Sequence, residues 1–170
     1  MKPSAEIMIK EEMMKELDLL NYHKWASGQL LNHIIRLPES VFSTKLKGTF
    51  SSISETFAHI YDVDTLWFKR VNPEYEAKEV MMDNPITALM HFKELHEEMT
   101  EFFESNQVTE VIYLNSKGES FKNDINEIIR HLANHGTYHR GNIATMIRQL
   151  GYEAISTDYI YYLRNRNEKN

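Results

Sequence analysis

Residues 124–151 read DINEIIRHLANHGTYHRGNIATMIRQLG, and the spacing within them decides the fold class. Ile128, Leu132, Ile143, Met146, Ile147 and Leu150 recur at intervals that put them on one face of an α-helix. Asp124 has Glu127 three residues on, the pattern of a capping box, in which each side chain satisfies a free backbone N–H at the helix start. Gly151 stands where a helix end favours a left-handed residue. The stretch is predicted to be one long helix from near Asp124 to about Leu150.

Working outward, three more long helices follow from the same signals. Residues 11–36 carry Met14, Leu17, Leu20, Trp25, Leu30, Leu31, Ile34 and Ile35 at mixed three- and four-residue spacing, and Pro38 supplies the stop. A loop of about fifteen residues with Lys45, Lys47 and Gly48 comes next. Ser52-Ile53-Ser54-Glu55 reads as a capping box for a second helix, which continues through Phe57, Ile60, Val63, Leu66, Trp67 and Phe68 until Asn72-Pro73. A third opens with Asn84 as N-cap and Pro85 at its first position, and Leu89, Phe92, Leu95, Met99, Phe102 and Phe103 mark its buried stripe.

From Val108 to Leu114 the β-branched and aromatic content rises, and Ser116-Lys117-Gly118-Glu119 reads as a turn. A short hairpin or irregular insert is therefore expected before the last long helix, leaning on the helices because two strands alone are marginal. Thr157 to Leu163 is aromatic enough to pack back as a short helix. With no repeat and no flexible linker, residues 1–170 are predicted to form a single all-α domain, a four-helix bundle.

Composition narrows the function. The chain has 42% apolar and 26% charged residues, a globular composition. Its net charge is −6, which weighs against nucleic acid as a partner, since duplex binding needs a basic face. Cysteine is absent, so disulfides, thiolate zinc sites, Fe–S clusters and a cysteine nucleophile are excluded. The N-terminus lacks the apolar core of a secretory signal, and no stretch approaches the length of a membrane span. The expectation is a cytoplasmic protein with no membrane partner.

Histidines are the unusual functional groups, and helical geometry sorts them. His91 and His96 point about 140° apart, and His23 and His33 are about 15 Å apart along their axis, so neither pair shares an ion. His131, His135 and His139 form a ladder whose outer members are about 12 Å apart, too far for one metal. The apolar stripe selects the pair His135 and His139 as inward-facing, with His131 at the edge. Two imidazoles in such a stripe must be neutral, hydrogen-bonded or metal-bound. Gly136 and Gly141 each cost about 1 kcal/mol of helix propensity, which predicts another element pressing against this turn. Gly136 also stands where His-Glu-x-x-His has its glutamate, so a zinc protease is excluded. A metal would need a third ligand from another helix, and His59 is the best candidate. Its angular position equally fits a polar residue on a partly exposed edge.

Asn134-His135-Gly136-Thr137-Tyr138-His139-Arg140-Gly141-Asn142-Ile143 closely resembles the signature of the DinB/YfiT-like family of proposed metalloenzymes. Tyr22-x-x-Trp25-Ala26 and Ser54-Glu55-x-x-Ala58-His59-Ile60 resemble its first two helix motifs, and Gly151-Tyr152 with Thr157-Asp158-Tyr159 its C-terminal stretch. The resemblance implies a four-helix bundle, usually a homodimer, with His59, His135 and His139 holding one divalent metal. Zinc or nickel suits such imidazole ligands best, with manganese or iron as further options. Ser27 stands where the family often has Asn, and Asn142 replaces a frequent Gln.

The resemblance further implies a metal-dependent transfer of a low-molecular-weight thiol to an electrophile, the thiol coming from solution because the chain has none. A metal-dependent hydrolase and a non-enzymatic, metal-stabilised dimeric stress-response protein are the competing readings. Asp62 and Glu55, within one turn of His59, are candidates to orient its ring. Tyr138 and Arg140 are expected to point away from the pocket, Arg140 towards a helix or subunit contact, and Trp25 is expected to pack in the core rather than wall the site.

Overall fold

Helix starts in this chain fall where a side chain meets the free N–H groups of a first turn. Asn84 accepts from Ile86 and Thr87 N–H, at 3.0 Å each, ahead of Pro85. Asp124 and Glu127 form the reciprocal capping box. A computed structural model describes residues 5–168, with side chains from Lys15 onward; Met14 lies outside the described side chains. The elements are α1 (Ala5–Ile34), α2 (Ser40–Ser43), α3 (Ile53–Val71), α4 (Pro85–Ser105), β1 (Glu110–Leu114), β2 (Ser120–Asp124), α5 (Ile125–Gln149) and α6 (Tyr159–Asn167).

The fold is the expected all-α bundle. Helix α1 packs against α4 and α5, and α3 packs against the same two, so α1 and α3 sit at opposite corners. The fully buried Leu30, Leu31, Ile53, Phe57, Ile60, Met99, Ile143 and Ile147 fill the space between them. At the end of α5, Tyr152 N–H donates to Ile147 C=O (3.1 Å) and Gly151 N–H to Arg148 C=O (3.0 Å). Gly151 has φ +88°, so this is the glycine-closed helix end its position predicted.

The insert is a hairpin, with Glu110 opposite Asp124 and Leu114 opposite Ser120. Asn115 and Gly118 make its turn, where Asn115 Oδ1 accepts from Lys117 and Glu119 N–H and Gly118 has φ +80°. It leans on the bundle through Trp67 and Tyr113, whose ring centroids are 4.8 Å apart, with the Arg70 guanidinium 4.5 Å from each ring. Asp124 ends β2 and also caps α5, so the hairpin passes straight into the helix carrying His135 and His139. The tail forms α6, anchored where Tyr159, Tyr162 and Arg166 all donate to Asp18.

Four local readings differ from the structure. The loop after α1 contains α2, whose Val41 and Phe42 are buried; one turn is too short to show a period. Leu66 is 48% exposed, and the buried stripe of α3 runs instead through Ile60, Asp64 and Phe68 at four-residue spacing. Ser52 caps α3, but the Glu55 carboxylate bonds Ser51 N–H and Lys45 rather than closing the box. Among the described residues nothing lies within 4 Å of a Cβ placed on Gly141, so none presses on it. Among the described residues no helix is long and apolar enough to cross a membrane.

Candidate metal centre

His135 and His139 lie one turn apart on α5, so their rings share one helix face, edge to face with centroids 4.5 Å apart. Helix α3 brings His59 to the same place, 5.0 Å from the ring of His135 and 4.7 Å from that of His139. One ring nitrogen from each of the three lies within 4.8 Å of the others. Nε2 of His59 and Nε2 of His135 are 3.1 Å apart, close to the roughly 3.3 Å that separates two nitrogens bound to one tetrahedral zinc at 2.0–2.1 Å. His139 is buried, His59 and His135 are half-buried, and the Phe50 ring lies 4.8 Å from His59 and 5.4 Å from His139.

The donor set suits a divalent ion. Burial, supported by the neighbouring His139 and His59, pushes His135 down to about 4, and burial followed by His59 lowers His139 as well. Both rings are therefore neutral near pH 7 and offer lone pairs, the form a metal requires. The Nδ1 atoms of His135 and His139 are buried with no hydrogen-bond partner, so protein contacts alone leave this cluster incompletely satisfied. Among the described residues no carboxylate joins the three imidazoles as a fourth donor.

A second buried group, His23, Asp64 and His96, has donor atoms at similar separations. Asp64 Oδ2 accepts from Nε2 of His23 at 2.8 Å and from Nε2 of His96 at 2.9 Å. Here the hydrogen bonds decide against a metal. Arg140 Nη1 lies 3.0 Å from His23 Nδ1, and a guanidinium only donates, so Nδ1 accepts and the ring proton sits on Nε2. That nitrogen donates to Asp64 and has no lone pair left for an ion.

The group is instead a chain of hydrogen bonds, Arg140 to His23 to Asp64, with His96 as the second donor to the carboxylate. Burial pushes His23 down to about 4 despite the upward pull of Asp64. Burial alone would raise Asp64, but its interactions with His23 and then His96 hold it below the usual carboxylate range. Arg140 also donates to Ser27 Oγ (3.2 Å) and Thr137 Oγ1 (3.1 Å). The network takes one side chain from each long helix: His23 from α1, Asp64 from α3, His96 from α4 and Arg140 from α5.

Gly136 shows how closely the network backs onto the histidine trio. A Cβ there would fall against Cε1 and Nδ1 of His23 and 2.5 Å from Arg140 Nη1. Gly136 follows His135 and Arg140 follows His139, so His23 is seated against the turn that carries both. This is the close approach expected at Gly136.

The remaining candidates fall elsewhere. Asp62 is exposed and lines a separate hollow with Lys69 and Val80, and Glu55 is exposed and held by Lys45 and Ser51, so neither orients His59. Tyr138 is 65% exposed, edge-on to His139. Arg140 is at a helix contact, as expected, though wholly inside the bundle. Trp25 packs with Tyr22 and Tyr162 beneath α6, away from the trio. His131 is exposed, beside Trp67. The sequence reading missed the His23, Asp64 and His96 cluster. The available signal was Asp64 at the centre of the Ile60–Phe68 stripe and His96 four residues after Phe92, both on buried faces.

The family model for the DinB family matches residues 10–170. The chain is also similar to Protein DinB of Bacillus subtilis (strain 168), with 29% identity over 165 residues that cover 89% of this chain and 95% of that protein.

Proposed function

The chain belongs to the DinB family, and from that premise we propose that it is a divalent-metal-dependent enzyme, with His59, His135 and His139 as ligands, that transfers a low-molecular-weight thiol to an electrophile. The observation that carries the reading is the convergence of three imidazoles from two helices with no fourth protein donor among the described residues. A structural metal is normally closed by four protein ligands, whereas a catalytic one keeps a position open. When bound, the metal supplies Lewis acidity that lowers the pKa of a thiol or water at that position.

The chain's own residues support the thiol reading over hydrolysis. Among the described residues no carboxylate joins the trio to take a proton from water, since Glu55 and Asp62 turn outward and Asp64 is sealed between His23 and His96. A thiol, with an ordinary pKa near 8.5, needs less help to ionise than water does. Having no cysteine, the protein takes this thiol from solution. The homodimer implied by the family resemblance belongs to the same proposal and is read by sedimentation equilibrium.

Elemental analysis of tag-free protein, beside His59→Ala and His139→Ala, tests the ligand set. The expected result is about one equivalent of metal per wild-type chain and loss of it in both variants. Thiol consumption with a model electrophile should then depend on that metal. A wild type that neither holds nor takes up zinc or nickel would leave the histidines as packing residues and end the enzyme reading.

A further inference from the structure

We propose that a cleft beside the three histidines binds the carboxylate-bearing part of a small substrate, with Lys47 as its counter-charge. This names a substrate class for the function proposed above and rests on that reading for its chemistry, though not for its binding test. The cleft holds about 200 Å³ between the segment 47–50 and the outer turns of α5. Its lining includes Lys47, Thr49, Phe50, Asn142, Met146 and Gln149. Phe50 belongs to both places, since the ring that walls the cleft also lies against His59 and His139. Asn142 follows His139 by three residues on the same helix, so a molecule seated here ends within one turn of the trio.

The charge pattern selects the ligand. The chain carries a net −6, yet this lining has one cation and no acid. Lys45, two residues away, is taken up by Glu55, whereas Lys47 makes no ion pair among the described residues. Thr49, Asn142 and Gln149 also make no side-chain hydrogen bond among the described residues, so their donors and acceptors are free for a ligand. A volume of about 200 Å³ admits a group the size of an amino acid and is too small for a nucleotide. A single carboxylate with adjacent amide groups matches this set: the carboxylate meets Lys47, and the amides meet Thr49, Asn142 and Gln149.

The test uses probes without a thiol on metal-free protein, so that neither a thiol nor a carboxylate is drawn to the metal. N-acetylalanine and its neutral amide are titrated into the full-length protein and followed by amide chemical shifts. The carboxylate is expected to bind about fivefold more tightly than the amide, the size of an exposed ion pair, with shifts confined to residues 47–50 and the last turns of α5. Lys47→Gln should abolish that preference and Lys47→Glu should reverse it; Lys47 is exposed, so neither variant disturbs the core. Equal binding of the two probes, or a preference that survives Lys47→Gln, would overturn the proposal. A preference retained in metal-free His139→Ala would uphold the cleft even where the metal reading fails. Comparing N-acetylcysteine with cysteamine as the transferred thiol then tells whether the carboxylate belongs to the thiol or to the electrophile.

Discussion

Asp64→Ala is expected to destabilise the protein by about 3–5 kcal/mol, a large part of the 5–15 kcal/mol typical of a domain. The carboxylate is fully buried, and its removal leaves Nε2–H of His23 and of His96 without an acceptor. It also removes the anion whose charge supports the buried Arg140 guanidinium. Urea denaturation measures the loss. Combining Asp64→Ala with Arg140→Met provides the control: an ion pair joined through His23 makes the double variant lose much less than the two single losses added. Strict additivity would mean that the two charges do not act as one network.

The same network sets a pH dependence. His23 is fully buried, and its folded pKa, about 4, lies below the ordinary 6.5, so the unfolded chain binds the proton and the folded chain does not. Its contribution is fully present above pH 6.5 and is lost as the pH falls towards 4, about 3 kcal/mol in all. His23→Gln keeps a donor for Asp64 and an acceptor for Arg140 but takes up no proton. It should therefore make the stability profile of the metal-free protein less steep between these pH values, leaving the part of the slope that the depressed His135 and His139 contribute.

Gly136→Ala carries the second large effect. Alanine improves helix propensity by about 1 kcal/mol, but here its methyl collides with the His23 ring and approaches Arg140, neither of which has room to withdraw. Overpacking of this kind costs about 1–3 kcal/mol beyond that gain. The collision falls between His135 and His139, so the variant should lose metal affinity along with stability. Gly141→Ala is the internal comparison. With open space around that position, it should stabilise the chain by about 0.5–1 kcal/mol and leave metal content unchanged. Thermal melts and metal analysis of the two variants side by side would separate a steric effect from a general intolerance of substitution in this helix.

Much of the architecture was legible in the residues because its determinants are local. The caps at Asn84 and Asp124, the closing Gly151 and the turn at Ser116–Glu119 act within a few residues of themselves, and each lies where the sequence placed it. The hydrophobic period of α5 likewise turns His135 and His139 inward and leaves His131 outside, because rotation about one helix axis follows from spacing alone.

What spacing cannot supply is the identity of the neighbour across the bundle. On α3, angle alone left His59 as either a ligand or an edge residue; packing of α3 against α5 brings its Nε2 within 3.1 Å of His135. Asp62 and Glu55 stand close to His59 in sequence and face solvent, whereas Asp64 lies in the apolar stripe. A buried carboxylate is tolerable there only because His23, His96 and Arg140 arrive from the other three helices, and no single helix's pattern contains that meeting. The sequence by itself determined which residues form the helices and which faces they bury. Only the tertiary structure decided that the two histidine clusters differ in kind, since an arginine placed by the fold sets the His23 tautomer and leaves the trio of His59, His135 and His139 as the one with lone pairs to give.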